Sequence, residues 1–158
     1  MRAKGFTLIE ILVVLVIIGI TLGFALLAFG DFGASRRVMI TAEQFTNYLK
    51  LLQHRAIIEM KPFGLTINQN SYQTFRYEQE SWKPMSAKSI FKPQIFPDNL
   101  VVKFQSPKSN RKYPDIIVNA SGDMTAFTLY FGTIQKPNMV TLVGNHNGQI
   151  AFVFPEVS

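Results

Sequence analysis

The chain has 158 residues, no cysteine and a formal net charge of +6. Without cysteine, disulfides, thiol nucleophiles and Cys-ligated metals are excluded, although an oxidising compartment is not. Once the apolar N-terminal segment is set aside, enough chain remains for one modest domain with its own core, and 14 Phe and 5 Tyr suit a small β-rich core.

From Ile11 to Phe29 the chain runs 19 residues without a charge, and Thr21 is the one clearly polar member. That is close to the ~20 residues needed to cross a bilayer as a helix. A removable secretory signal has a shorter apolar run of about 7–15 residues and small residues at a cut site behind it. Here the run is longer, and "GDFGASRRV" follows without an A-x-A pattern. The small residue that looks like a cut site is Gly5, ahead of the run. Cleavage there removes "MRAKG" and frees the amine of Phe6. Glu10 lies four residues on, so amine and carboxylate fall on one helical face. A carboxylate at the centre of a membrane helix costs ~2.5–3.5 kcal/mol, and an ionisable group in such a helix is a functional suspect by default. Pairing with the amine of its own chain or of a neighbour relieves the penalty of an unpaired buried charge. Glu10 is therefore a candidate for registering one helix against the next. Charge counting does not orient the span, because Arg2 and Lys4 precede it and Arg36 and Arg37 follow it closely.

Beyond "FGDFGAS", apolar or small residues recur at Val38, Ala42, Phe45, Leu49, Leu52, Ala56 and Met60, the stripe of an amphipathic helix that packs on a sheet. Gly30 and Gly33 are positions for a kink or break, and Ser35 is a cap if the helix restarts there. Lys61-Pro62 ends the helix. About seven strands follow: "FGLTI", "YQTFRY", "NLVVKF", "DIIVNA", "AFTLYFG", "MVTLVG" and "QIAFVF". "NQNS" and "SGDM" read as turns, and the Asn-Gly of "GNHNGQ" is a strong hairpin signal. "SWKPMSAKSIFKPQIFPDN" reads as a long loop or irregular crossing. The architecture predicted is α+β: a long N-terminal helix, half transmembrane and half amphipathic, packed on an antiparallel β-sheet domain. The segments are 1–5 as a leader, 6–29 as the membrane helix, 30–60 as the amphipathic helix and 61–158 as the β-rich domain.

Residues 83–112 hold Lys83, Lys88, Lys92, Lys103, Lys108, Arg111 and Lys112 against Asp98 alone, so this stretch carries the whole positive excess. Such a segment suits nucleic acid, an anionic membrane surface or an acidic partner, or is simply a solvated loop. Phe91, Phe96, Phe104 and Tyr113 lie in and beside it. Neither His54 nor His146 has a Cys, His or carboxylate at ligand spacing, so no metal site is expected. No phosphate-binding, dinucleotide or nucleophile-elbow motif is present. Glu78 and Glu80 stand two apart on a predicted strand and imitate an acid/base pair, but no other catalytic group accompanies them. No enzyme activity and no cofactor are expected.

"KGFTLIEILVVLVIIGI" strongly resembles the N-terminus of type IV pilins and type II secretion pseudopilins. The resemblance implies that a prepilin peptidase cuts after Gly5, that Phe6 is then N-methylated and that Glu10 serves assembly. It also implies a single-pass anchor in the bacterial inner membrane with the C-terminal domain in the periplasm. "RAIIEMKPFGLTI", "YQTFRYEQESWKPM" with Trp82, "IIVNASGDMTAFTLYF" and "VTLVGNHNGQI" together resemble the GspH/FimT-like minor members of that superfamily. For a type II secretion member the implied function is structural, at or near the tip of the periplasmic pseudopilus that supports protein export across the outer membrane. The implied partners are the major pseudopilin G, the minor pseudopilins I, J and K, and the inner-membrane assembly platform. The alternative is a FimT-like minor pilin that binds DNA for uptake or supports pilus assembly. Only the basic segment favours DNA, and nucleic acid is not the expected partner.

Overall fold

The structure is a computed structural model that describes residues 7–105 and 113–155, the side chains of 27–32 excepted. The first element is α1 (Leu8–Glu59). The chain divides into two compact units, Met1–Arg36 and Arg37–Ser158.

In the first unit the apolar part of α1, Leu8–Leu26, is 19 residues long with none of it buried. At 1.5 Å per residue that is about 28 Å of helix, the thickness of a bilayer's hydrocarbon core. The Thr21 hydroxyl turns back onto the carbonyls of Ile17 and Ile18, at 3.0 and 2.9 Å. Its polar group is thereby satisfied within the helix, as an apolar surrounding requires. Gly30, Gly33 and Ser35 all carry helical backbone, so the helix does not break at these glycines and Ser35 does not serve as a cap.

The second unit holds its own core: every buried apolar side chain among the described residues falls between Val38 and Leu142. Val38, Ala42, Phe45, Leu49, Leu52 and Ala56 form the helix's buried stripe, as the spacing predicts. Met60 departs from it at 83% exposure. Its φ of 51° reverses the chain, and the Met60 and Lys61 amides donate to the Ile57 and Ala56 carbonyls at 3.3 and 3.2 Å. This is a Schellman stop with Met in the place usually taken by Gly, so the helix ends one residue before the stripe would bury Met60.

Among the described residues nine strands follow where about seven were expected: β1 (Phe63–Ile67), β2 (Ser71–Glu78), β3 (Ser81–Pro84), β4 (Gln94–Ile95), β5 (Val101–Gln105), β6 (Ile116–Val118), β7 (Phe127–Gly132), β8 (Val140–Gly144) and β9 (Ile150–Val153). One sheet runs β3-β2-β1-β6, with β4 also on β2; the other runs β5-β7-β8-β9. Every pairing is antiparallel. β3 and β4 lie in the segment read as irregular. They share one edge of β2, β3 opposite Phe75–Glu78 and β4 opposite Ser71 and Tyr72. Neither is apolar enough to announce itself, since their residues are intermediate or exposed.

Phe45 joins the layers. Its ring centroid lies 5.1 Å from that of Tyr72 on β2, 5.9 Å from Phe131 on β7 and 6.0 Å from Phe96. Two turns, one after β6 and one between β8 and β9, share one geometry. In Asn119–Asp123 and again in Asn145–Gln149 the first amide donates to the last carbonyl, at 2.8 and 2.9 Å, and the fourth amide to the first carbonyl, at 3.0 and 3.1 Å. The fourth residue is Gly122 (φ 90°) in one and Gly148 (φ 82°) in the other, the left-handed position that glycine fills without strain. The turns abut: a Cβ on Gly148 would lie 2.5 Å from the Gly122 carbonyl oxygen. Gln53 of α1 spans both, its Nε2 donating to Gly122 O at 3.1 Å and Gly148 O at 2.9 Å.

Candidate functional site

Gly5 and Phe6 lie outside the described residues. Glu10 stands in the first turn of α1 with an exposed side chain. Thr7-x-x-Glu10 has the spacing of a capping box, yet among the described residues only backbone bonds form there. The Glu10 and Ile11 amides donate to the Thr7 carbonyl at 3.1 and 3.4 Å. The carboxylate is therefore not consumed in starting the helix. Around it Leu8, Ile9, Ile11 and Leu12 are 85%, 70%, 49% and 55% exposed, so it is a lone anion on an apolar cylinder.

The described part of the basic segment is spread over several elements. Lys83 is on β3, Lys88 and Lys92 are on the excursion between β3 and β4, and Lys103 is on β5 of the other sheet. All four are exposed; Lys108, Arg111 and Lys112 lie outside the described residues. Lys83 Nζ donates to Gln79 Oε1 at 2.6 Å. Of the aromatics beside them, Phe91 and Phe96 are only 1% and 3% exposed. Both are committed to the core and unavailable to stack on bases, the usual source of affinity for single-stranded nucleic acid. Tyr113 is exposed. Trp82 packs on Tyr77, centroids 5.1 Å apart, beside Gly64.

Glu78 and Glu80 are not a pair on one strand face. Glu80 (φ 60°) falls in the turn after β2. Glu78 accepts from Arg76 at 2.7 Å and from Lys61 at 3.5 Å. Arg76 also reaches Glu59 at 3.3 Å, and Glu59 pairs with Arg55 at 2.5 Å. These groups tie the end of α1 to β2. The Asp115 carboxylate accepts the Ile67 amide at 2.8 Å, which joins the ends of two strands. His54 and His146 are both exposed, and no three His, Cys, Asp or Glu residues among those described could hold a metal ion.

The Tyr48 and Tyr72 rings pack edge to face at 5.0 Å. Burial pushes the Tyr48 phenol above its ordinary value, against the pull of a 2.6 Å hydrogen bond shared with Thr74. Burial, with Tyr48 beside it, pushes Tyr72 up to about 12. Both are neutral structural phenols at physiological pH. What the described residues offer is anchoring and contact: an apolar helix with one carboxylate, and a rigid domain with charged and apolar projections. Sequence reading missed both Gln53 and the projections of the β3–β4 excursion. Gln53 sits one position from the buried stripe with no pattern of its own, whereas the repeated Ile-Phe pairs at 90–91 and 95–96 are a visible signal.

The chain matches the model for the prokaryotic N-terminal methylation motif over residues 1–26. It is 29% identical to type II secretion system protein H of Pseudomonas aeruginosa over 143 residues, 82% of this chain and 83% of that one. With the protein of the same name from Escherichia coli it is 27% identical over 135 residues, 81% and 80% of the two chains. Among solved structures, the minor pseudopilin EpsH from the type 2 secretion system of Vibrio cholerae superposes with a TM-score of 0.63 at 20% identity, covering 77% of this chain and 99% of that one. The solution structure of Escherichia coli GspH gives 0.64 at 21%, covering 77% and 90%. At those identities the structural likeness establishes the fold.

Proposed function

We propose that the chain is a GspH-type minor pseudopilin of a type II secretion system, a reading supported by the methylation motif and the relatives of that name, and that it acts as a structural subunit at or near the tip of the periplasmic pseudopilus, supporting protein export. The observation that carries this reading is Glu10, the one carboxylate in the apolar, unburied Leu8–Leu26 part of α1. In this reading prepilin peptidase cuts after Gly5, and Phe6 is methylated. The domain of residues 61–158 and the helical stretch of residues 30–60 face the periplasm, while residues 6–29 anchor the chain in the inner membrane. The assembly platform then extracts the helix into the fibre, where Glu10 pairs with an N-terminal amine. An unpaired carboxylate in an apolar surrounding is penalised by several kcal/mol, so pairing sets the register between subunits. The partners are the major pseudopilin G and the minor pseudopilins I, J and K. The DNA-uptake alternative loses Phe91 and Phe96 as stacking platforms, because both are buried.

Glu10→Ala separates the steps. Cleavage, read as a mobility shift, continues, while recovery of the chain in sheared fibres falls by about tenfold or more. Normal incorporation of the alanine variant defeats the registration argument. Independently, a soluble piece of residues 31–158, which contains the whole described core, captures the soluble domains of other pseudopilins without displacement by DNA. Salt-sensitive DNA binding with no pseudopilin capture would move the chain to the uptake reading.

A further inference from the structure

Between β3 and β4 the chain leaves the edge of β2 and returns to the same edge. This excursion is held rigidly. The Ser89 and Lys92 amides donate to the Ser86 and Ser89 carbonyls at 2.9 and 3.1 Å, which makes two successive turns. The Ser86 and Ser89 hydroxyls accept the Lys88 and Phe91 amides at 3.3 and 3.1 Å. Phe91 and Phe96 are sunk in the core, with Phe91 5.5 Å from Tyr48 and Phe96 5.0 Å from Tyr72. The Phe96 amide is fixed on the Asn70 carbonyl at 2.8 Å.

Each buried Phe follows an isoleucine that points the other way: Ile90 is 66% exposed and Ile95 is 78% exposed. Neither is the stray apolar residue that any surface carries, because the anchors on either side leave each no path into the core. Exposed Lys88 and Lys92 flank them, and from Ser81 to Pro97 there is no acidic residue. Aliphatic tips on a pre-ordered loop lose little entropy on docking, and a rim of one sign of charge steers a partner of the other.

We propose that residues 86–96 are a docking loop for an acidic protein surface, with Ile90 and Ile95 entering an apolar recess and Lys88 and Lys92 meeting the carboxylates around it. The proposal rests on the assembly reading, and it identifies the contact by which the domain recognises another subunit. Charge complementarity selects the occupant. A cationic or neutral surface leaves the lysines unpaired, and nucleic acid has no use for the isoleucines while the phenylalanines that could stack on it are buried.

The test uses the soluble piece of residues 31–158 and, as probes, the soluble domains of pseudopilins G, I, J and K. Ile90→Ser/Ile95→Ser is expected to weaken capture of one of them by about tenfold or more, as loss of central apolar anchors does. Lys88→Glu/Lys92→Glu is expected to weaken the same capture and flatten its salt dependence, and Lys88→Arg/Lys92→Arg to preserve it. All four side chains are exposed, so melting temperatures remain at the wild-type value. Undiminished capture by both disruptive variants overturns the docking loop and leaves the assembly reading intact. Absence of capture by the wild-type piece sinks the assembly reading and the loop with it. Flotation with vesicles of phosphatidylglycerol and phosphatidylethanolamine is run in parallel. If the variants lose vesicle binding but keep pseudopilin capture, the loop is a membrane contact and the proposal fails.

Discussion

Replacing Gln53 with methionine keeps the volume of the side chain but removes the donor that holds two turns. The Gly122 and Gly148 carbonyls, 3.1 and 2.9 Å from Nε2, accept no other backbone amide among the described turn and loop hydrogen bonds. Each hydrogen bond contributes about 0.5–1.5 kcal/mol net, and an acceptor left dry costs about 1–3 kcal/mol. Gln53 and both glycines are half-buried rather than sealed, so water recovers part of the loss. The expected destabilisation is about 1–3 kcal/mol, or roughly 4–10 °C in Tm for a domain of this size. In Gln53→Glu the new carboxylate sets a third acceptor against the two carbonyls. At pH 7 it has no proton to give, so Gln53→Glu falls below Gln53→Met. The folded state binds a proton on that carboxyl more tightly than the unfolded state does. Stability relative to Gln53→Met therefore recovers as pH falls to about 4, through the carboxyl range. Circular-dichroism melts of residues 31–158 at both pH values measure this. A Gln53→Met variant that melts with the wild type, or a Gln53→Glu variant that tracks Gln53→Met at both pH values, refutes the staple.

Phe45→Ala takes away the ring that touches both sheets and Phe96, and denaturant unfolding should show a loss of about 3–5 kcal/mol; less than about 1 kcal/mol would mean the layers do not depend on it. Met60→Gly relieves a left-handed backbone at an 83% exposed position, so the same assay should show no loss and a gain of up to about 1 kcal/mol. Tyr72 ionises less readily folded than unfolded. Its contribution is therefore complete below the ordinary phenol range, near pH 10, and is lost as pH rises through about 12. Tyr72→Phe should show a shallower decline of stability across that alkaline window, and an unchanged slope would contradict the assignment.

The sequence alone carried the anchor, because a bilayer-length apolar run and a carboxylate at a fixed spacing from a glycine are one-dimensional features. It carried the buried stripe from Val38 to Ala56, since helical periodicity is set by backbone geometry, and it located seven strands by their β-branched and aromatic runs. It also placed both glycine turns, because a left-handed position leaves its mark in residue type. Tertiary structure decided everything that depends on which surface faces which. β3 and β4 exist only because β2 offers an edge, which polar segments such as "SWKP" do not signal. Met60 continues the spacing of the stripe but lies beyond the helix stop. Phe91 and Phe96 belong to the core, whereas Ile90 and Ile95, equally apolar, are turned to solvent by the anchoring of their neighbours. Of the basic residues gathered between positions 83 and 112, Lys83 falls on one sheet, Lys103 on the other, and Lys88 and Lys92 on the excursion between β3 and β4. Hydrophobicity is a property of a residue, but burial is a property of a packing, and the surfaces that meet other proteins are settled by packing.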